Sequence, residues 1–99
     1  MVRIVWSKLA LAELKLIKEF ISLDSPFYAK KTILKIRERV KILKQQPKIE
    51  KLWENDNKEE IRELIEGKFR IFYHFKKDKN EVNVLSIFHS SRNVDDLII

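Results

Sequence analysis

The 99-residue chain contains no cysteine. This absence excludes disulfide bonds, thiolate nucleophiles and cysteine-ligated zinc sites. Histidine is also scarce, since His74 and His89 are the only two, so a histidine-rich metal site is not expected. We therefore expect no metal and no other cofactor. The N-terminal residues are too short and too alternating in polarity for a secretory signal, and together with the lack of cysteine this is typical of a cytoplasmic protein.

Glycine and proline are almost absent, with one and two residues respectively. No serine-rich or glutamine-rich stretch indicates a linker, and no apolar run approaches the length that crosses a bilayer. Hydrophobic residues make up 44% of the chain, which is enough for one core. The length and composition predict a single compact domain over residues 1–99.

The positive charge is concentrated in the first half of the chain. Residues 1–51 contain 13 basic and 5 acidic side chains, a net charge of +8, whereas residues 52–99 contain 8 and 10, a net charge of −2. Such asymmetry indicates a polyanionic or acidic partner for the first half. The alternative is that these lysines only solvate the exposed faces of helices.

Two amphipathic helices are predicted after a short first strand. The strand is the alternating segment Arg3 to Trp6, and Ser7 follows it at the position of a helix N-cap. Apolar residues then recur at helical spacing and the helix should end near Leu23-Asp24. The core stripe comprises Ala10, Leu14, Ile17 and Ile21, and Leu9, Leu16 and Phe20 widen it.

Ser25-Pro26 is the clearest helix start in the sequence, because serine caps and proline suits the first helical position. The second helix should end at Gln45-Gln46-Pro47, since proline disfavours helix at the residue before it. Two helices joined by about three residues form an antiparallel hairpin. The apolar stripe of the second helix comprises Ala29, Ile33, Ile36, Val40 and Leu43, and lysines and arginines occupy the rest of its surface.

The remaining residues alternate in polarity as β-strands do. Residues 48–60 are predicted to form a loop, with Leu52 and Trp53 on the core. Three strands joined by tight turns should follow and run antiparallel, at residues 61–65, 69–75 and 82–88. The resulting order, β-α-α-β-β-β, predicts an α+β fold in which an antiparallel sheet packs against an N-terminal helical hairpin.

Four weak motifs fall in order on these elements. They are Ile4-Val5-Trp6-Ser7 before the first helix, Asp24-Ser25-Pro26 before the basic second helix, Ile61-Arg62-Glu63-Leu64 with Gly67-Lys68-Phe69-Arg70-Ile71-Phe72-Tyr73, and Ile87-Phe88-His89-Ser90-Ser91-Arg92. Together they resemble the toxins of the RelE/ParE superfamily, which belong to type II toxin–antitoxin systems. Phe69 replaces the tyrosine that is usual in the third motif. The resemblance covers essentially the whole chain and is closest to the ParE-like branch.

The superfamily implies one of two activities. RelE-like members cleave messenger RNA on the ribosome, which requires a base, an acid and cations that stabilise the phosphate. The two strand lysines of that nuclease set fall at Ile61 and Glu63, and its C-terminal arginine and tyrosine fall at Ser90 and Asp96. Of that set only Arg70 is retained.

A second nuclease type, similar to YoeB, uses a glutamate, an arginine and a histidine near the C-terminus. Arg70 and His89 match the last two, and Glu50, Glu54 or Glu63 would supply the first. The terminal tyrosine of that type is missing. Arg70 and His89 are therefore catalytic candidates only if the chain is a nuclease.

ParE-like members inhibit DNA gyrase without a known acid–base set, and this is the function that we expect. Whether the chain is an enzyme stays open, and the expected partners are a cognate antitoxin, in a hetero-oligomer, and either gyrase or the ribosome with its mRNA. No membrane partner is expected. The candidate residues for binding a target or antitoxin are Lys30, Lys31, Lys35, Arg62 and Arg92.

Each candidate also has a structural interpretation. Arg70 could pair with Glu63 across the strand hairpin, Arg62 could be a solvated strand residue, His89 could bond to backbone, and Arg92 could hold the C-terminal tail. The aromatic side chains of the second meander strand, Phe69, Tyr73 and Phe75, are predicted to lie in the core. From other classes, the chain could be a small basic nucleic-acid-binding module, or a superfamily member that only binds its antitoxin.

Overall fold

The computed structural model describes residues 2–47, 51–54 and 60–89, and these form two helices and one five-stranded sheet. In chain order the elements are β1 (Arg3–Trp6), α1 (Lys8–Ser22), α2 (Pro26–Lys41), β2 (Lys51–Glu54), β3 (Glu60–Glu66), β4 (Phe69–Lys76) and β5 (Glu81–His89). The strands are ordered β1-β5-β4-β3-β2 across the sheet. The predicted α+β class is confirmed.

Serine caps start both helices, as predicted. The Ser7 hydroxyl accepts a hydrogen bond from the Ala10 amide at 2.9 Å, and the Ser25 hydroxyl accepts one from the Tyr28 amide at 3.1 Å. Pro26 follows at the first helical position of α2, where its missing amide hydrogen is not needed. A short 3-10 turn, Ile42–Lys44, ends the helical hairpin.

The hairpin packs on one face of the sheet and encloses the core. The buried apolar side chains from the helices are Ala10, Leu14, Ala29, Ile36, Val40 and Leu43, and those from the strands include Leu64, Ile71, Tyr73, Val82, Val84 and Ile87. Phe69 and Phe75 pack against this cluster, so the prediction that the aromatics of β4 belong to the core is confirmed. The buried Tyr73 hydroxyl donates a hydrogen bond to the Pro47 carbonyl at 2.8 Å, which satisfies its polar end.

The single glycine allows the tight turn between β3 and β4. Glu66 and Phe69 are paired residues, so the turn consists of Gly67 and Lys68 alone. Gly67 has a φ of 56°, in the left-handed region that two-residue hairpin turns require and that glycine adopts at no steric cost.

Two details of the sheet differ from the sequence prediction. Residues 51–54, which we expected to lie in a loop, form the edge strand β2, antiparallel to β3. A four-residue edge strand is defined by hydrogen bonds to its neighbour, and its own pattern carries little signal. The predicted packing of Leu52 and Trp53 concerns side chains that lie outside the described residues.

The second difference concerns direction. The sheet is mixed rather than antiparallel, because β1 runs parallel to β5. Tight turns dictate antiparallel pairing within the meander from β3 to β5. No short connection joins β1 to β5, so their relative direction cannot be predicted from turn length.

Candidate functional site

A wide cleft opens between the tip of the helical hairpin and one end of the sheet. Its volume is about 1160 Å³. The lining comes from the second half of α1, the first half of α2, the β3–β4 turn and the adjoining ends of β4 and β5. Its apolar lining residues include Leu16, Phe20, Tyr28 and Phe69. Of these, Leu16 and Phe20 are 63% and 75% exposed.

The exposure of Leu16 and Phe20 modifies a sequence prediction. We expected both residues to widen the core-facing stripe of α1, but the helix turns them towards the cleft. Large apolar side chains left in water at a concave surface mark an interaction site. The apolar stripe of α1 is wider than packing against the core requires. That excess width is the sequence signal that could have indicated this cleft.

Charges of both signs surround the apolar lining. Its acidic residues are Glu13, Asp24 and Glu66, and its basic residues are Lys31, Lys35 and Lys68. The positive field of the first half of the chain is therefore nearly balanced here. Such a site fits a surface that presents apolar and mixed polar groups, and not a simple polyanion.

The structure separates the three lysines that the sequence analysis grouped together. Lys31 and Lys35 line the cleft, whereas Lys30 does not. Successive residues of an α-helix are rotated by about 100°, so Lys30 projects roughly 100° to 140° away from the other two. Lys30 is exposed on a different flank of α2.

The two predicted arginines differ in how far the structure describes them. Arg62 is half-buried and lies opposite Tyr73 in the register of β3 and β4, on the side of the sheet that the helices cover. It is therefore not a solvated strand residue. Arg92 lies outside the described residues.

Arg70 is held on the other side of the sheet by a charged and aromatic cluster. Its Nε donates a hydrogen bond to the Glu63 carboxylate, so the expected pairing across the hairpin is confirmed. The guanidinium carbon lies 5.4 Å from the ring centre of Phe72 and 5.6 Å from that of Phe88. These two rings stack on each other with centres 5.3 Å apart.

This environment neutralises Arg70 and restricts its motion. Its side chain is 18% exposed and that of Glu63 is 6% exposed. The Glu63 hydrogen bond raises the pKa of Arg70, and burial opposes part of that effect. A guanidinium that already stacks on two rings and bonds a carboxylate would have to leave both before it could bind a phosphate.

His89 lies on the opposite face of the sheet from Arg70. The register pairs His89 with Phe69 and Arg70 with Phe88, and directly opposed side chains in an antiparallel pair share a face. The imidazole contacts the edge of Phe69, with ring centres 5.5 Å apart, and borders the cleft. The fold therefore does not bring together Arg70 and His89, the two candidates for nuclease chemistry.

The nuclease set predicted from the sequence also requires a glutamate, and no described glutamate candidate shares a site with His89. Glu63 belongs to the Arg70 cluster, and the side chains of Glu50 and Glu54 lie outside the described residues. Within residues 2–47, 51–54 and 60–89, no group of three or more acidic, histidine or cysteine residues is arranged to hold a metal ion. In that same part of the chain, no helix is long and apolar enough to cross a membrane.

A contact beside the cleft, between α1 and β5, is not predicted from the sequence. One carboxylate oxygen of Glu13 in α1 accepts hydrogen bonds from the Ser86 hydroxyl at 2.8 Å and from the Ile87 amide at 3.0 Å. The contact lies where the β4–β5 register shifts, so Glu13 satisfies an amide at an irregular point of the ladder. The available signal was the position of Glu13, which is the only acidic residue between Lys8 and Lys18 and borders the core stripe.

The fold is similar to that of solved toxin–antitoxin proteins. A chain of the chromosomal ParDE system from P. aeruginosa matches with a TM-score of 0.72 and 25% sequence identity, over 90% of this chain and 96% of that one. A chain of the RelBE2 complex from Mycobacterium tuberculosis matches with a TM-score of 0.67 and 14% sequence identity, over 89% of this chain and 96% of that one. A chain of the archaeal RelE–RelB complex from Pyrococcus horikoshii matches with a TM-score of 0.66 and 15% sequence identity, over 93% of this chain and 98% of that one.

Sequence comparisons narrow the assignment within this fold. No curated protein matches the chain significantly. The model of the ParE toxin family, the toxins of the type II parDE toxin–antitoxin systems, matches residues 4–94. This match spans nearly the whole chain, including both helices, the strands β2 to β5 and all of β1 except its first residue. The chain therefore belongs to the ParE toxin family of type II toxin–antitoxin systems.

Proposed function

We propose that this toxin arrests growth by inhibiting DNA gyrase through binding, without nuclease chemistry, and that a cognate antitoxin neutralises it. The observation that carries the proposal is the orientation of Arg70 and His89 on opposite faces of the sheet. Cleavage of RNA through its 2′-hydroxyl requires an acid, a base and a phosphate-binding cation within hydrogen-bond reach of one nucleotide. Side chains separated by the sheet cannot meet that requirement.

The surroundings of Arg70 support the same proposal. The Arg70 guanidinium is already in contact with Glu63, Phe72 and Phe88. The Glu63 carboxylate also places a negative charge where a phosphate would have to bind. Arg70 then has a structural role, as the residue that neutralises Glu63 on a largely buried surface.

The cleft fits an antitoxin segment of defined character. Its apolar lining, flanked by lysines and carboxylates, is complementary to an amphipathic helix with an apolar face and mixed charges along its edges. The solved relatives are named as a ParDE TA system, the RelBE2 toxin–antitoxin complex and a RelE–RelB complex, which supports an antitoxin as the partner. We expect the antitoxin to cover Leu16 and Phe20 when it binds.

Target choice can be tested with the purified toxin in two parallel assays. We expect inhibition of gyrase-catalysed supercoiling, and intact mRNA on ribosomes treated with the same toxin concentration. The His89→Ala variant should leave ribosome-bound mRNA equally intact. Cleaved mRNA together with undisturbed supercoiling would overturn the proposal, and loss of that cleavage in Arg70→Ala and His89→Ala would then identify the nuclease site.

Antitoxin docking in the cleft can be tested separately with a matched pair of variants. The Leu16→Ser/Phe20→Ser variant removes two apolar side chains of the cleft, and Leu9→Ser/Leu34→Ser removes two that are 59% and 53% exposed elsewhere on the hairpin. Burial of a large apolar side chain is worth about 1.5 to 3 kcal/mol, so the cleft variant should lose on the order of 100-fold in antitoxin affinity or more. Isothermal titration would give the affinities. Equal losses in the two variants would argue against the cleft as the docking site.

A further inference from the structure

A line of basic side chains runs along α2 on a flank away from the cleft. It consists of Lys30, Arg37, Lys41 and Lys44, all exposed, and it continues from α2 into the 3-10 turn that follows. An α-helix turns by about 100° per residue, so these four side chains project within roughly 40° of their mean direction. At a rise of about 1.5 Å per residue, the line from the first to the last is about 21 Å long. None of the four lines the cleft.

The charge on this flank is almost entirely of one sign. Glu38 is the only acidic residue of α2, which has six lysines and arginines between Pro26 and Lys41. Glu38 accepts a hydrogen bond from Lys41 at 3.1 Å, so these two side chains together add no net charge to the flank. The remaining members, Lys30, Arg37 and Lys44, keep the flank strongly positive.

The line and the cleft differ in the chemistry that they can bind. The cleft combines large apolar side chains with charges of both signs. Between Lys30 and Lys44, the apolar residues nearest to this direction are Ile33, which is half-buried, and Leu34, which is exposed, one on each side of the line. Long side chains with single-sign charge and little apolar surface fit a partner that is a regular array of negative charges.

We propose that this basic line of α2 binds the phosphate backbone of duplex DNA without sequence preference. A duplex presents one negative charge per roughly 1.7 Å of its axis, so a straight row of cations about 21 Å long can contact several phosphates at once. Lysine and arginine side chains that contact only phosphates carry no sequence information, so binding through this line would show no sequence preference. The inference goes beyond gyrase inhibition and does not depend on it, because the contact is between the toxin and DNA alone.

The test measures DNA binding by the full-length chain in the absence of gyrase. A fluorescent duplex of random sequence is titrated with toxin at several salt concentrations, and binding is followed by anisotropy. The line variant is Lys30→Gln/Arg37→Gln/Lys44→Gln, and the control is Lys31→Gln/Lys35→Gln/Lys68→Gln, which removes the same charge from the cleft. Log affinity falls linearly with log salt, by about 0.9 per phosphate contact. We expect this dependence to become shallower by up to about 2.7 in the line variant and by much less in the control.

Other outcomes would overturn the proposal. Equal losses in both variants would mean that only net charge matters, and an unchanged slope in the line variant would exclude these residues from the DNA contact. Weakened binding of the antitoxin by the line variant, with DNA binding intact, would assign the flank to an acidic protein.

Circular dichroism of both variants would verify that the helices are retained, since all six substitutions are on exposed positions. A toxin that binds DNA but does not inhibit supercoiling would refute the proposed function and leave this inference standing.

Discussion

At the scale of single residues, the pair formed by Arg70 and Glu63 is the most consequential described contact on the side of the sheet that faces away from the helices. Opposite charges this close are worth little on an exposed surface, but here both side chains are largely removed from water. Removal of one partner therefore leaves the other desolvated and without its counter-charge. The stacked rings of Phe72 and Phe88 deepen that effect, because they shield the guanidinium from solvent.

The Glu63→Gln variant should be measurably less stable than the wild type. The expected loss is about 1 to 3 kcal/mol, because a charged hydrogen bond is lost at a site that water hardly reaches. Denaturant unfolding gives the free energy. Glu38→Gln is the matched control, since it breaks the exposed pair with Lys41 and should cost less than about 0.5 kcal/mol. Similar losses in the two variants would show that burial of the Arg70 pair has no energetic consequence.

Glu81 should make the stability depend on pH in the acidic range. A hydrogen bond from the Arg3 guanidinium, at 2.5 Å, lowers the pKa of Glu81 below its ordinary value of 4.5, and a hydrogen bond from Asn83 and the charge of Lys76 add to this. The folded state thus favours the ionised carboxylate. Its contribution is fully present above about pH 4.5 and is lost as the pH falls through the lowered pKa.

Unfolding experiments from neutral pH down to about pH 3 would measure this contribution. The difference in unfolding free energy between the wild type and Glu81→Gln should shrink as the pH falls through that range. A difference that stays constant across the range would show that the Arg3 contact does not favour the ionised form of Glu81.

Sequence reasoning could predict some of these residue contacts and not others. The pairing of Arg70 with Glu63 follows from their spacing around a two-residue turn, because local register is set by the turn. The separation of Arg70 from His89 does not follow in the same way. A register shift lies between Phe72 and Tyr73 on β4, and a shift of one residue reverses which face the later side chains occupy.

At the scale of secondary-structure elements, α1 is tied to β5 at several points. Ser7 caps the helix and also donates a hydrogen bond to the Leu85 carbonyl at 2.9 Å. Glu13 accepts hydrogen bonds from the Ser86 hydroxyl and the Ile87 amide. Ser7 and Glu13 are six residues apart, which is almost two helical turns, and their bonds fix the helix at the irregular part of the sheet. They also set the position of the α1 side of the cleft.

The Glu13→Ala variant should therefore loosen this attachment. The buried Ile87 amide would lose its acceptor, at a cost of about 1 to 3 kcal/mol. Glu19→Ala is the control, because Glu19 is exposed on the same helix and its removal should change stability by less than about 0.5 kcal/mol. Hydrogen exchange adds a local measurement, since exchange at Ile87 should accelerate in Glu13→Ala and not in Glu19→Ala. An unaltered exchange rate at Ile87 would contradict the role assigned to Glu13.

The elements themselves were predictable to the extent that their signals are local. Serine caps and the Ser25-Pro26 step identify both helix starts because those groups act within one turn. The edge strand β2 was missed because its four residues depend on hydrogen bonds to β3. The cleft was missed for a similar reason, since it is formed by helix, turn and strand segments that are distant in sequence.

At the scale of the whole molecule, the isolated toxin leaves much apolar surface in water around the hairpin. The side chains of Leu16, Phe20, Leu23, Phe27 and Tyr28 are each more than half exposed. Soluble monomers rarely present so many large apolar groups in one region. We expect the free chain to self-associate at micromolar concentrations, and the bound antitoxin to suppress this.

Sedimentation velocity of the free toxin and of the toxin–antitoxin complex would test this expectation. The Leu16→Ser/Phe20→Ser variant should shift the free chain towards monomer, whereas Leu9→Ser/Leu34→Ser should not. A wild-type toxin that remains monomeric throughout the micromolar range would contradict the prediction.

The parallel pairing of β1 with β5 has a further consequence for the biosynthesis of this protein. Arg3 pairs with Glu81, a separation of 78 residues along the chain. At a synthesis rate of about 5 to 20 residues per second, β5 is made roughly 4 to 16 s after β1. The helical hairpin needs only local contacts and can form during that interval, but the wall of the cleft that Phe69 and His89 provide is still missing. For several seconds, each new molecule therefore contains its helical hairpin while the cleft proposed to bind the antitoxin is still incomplete.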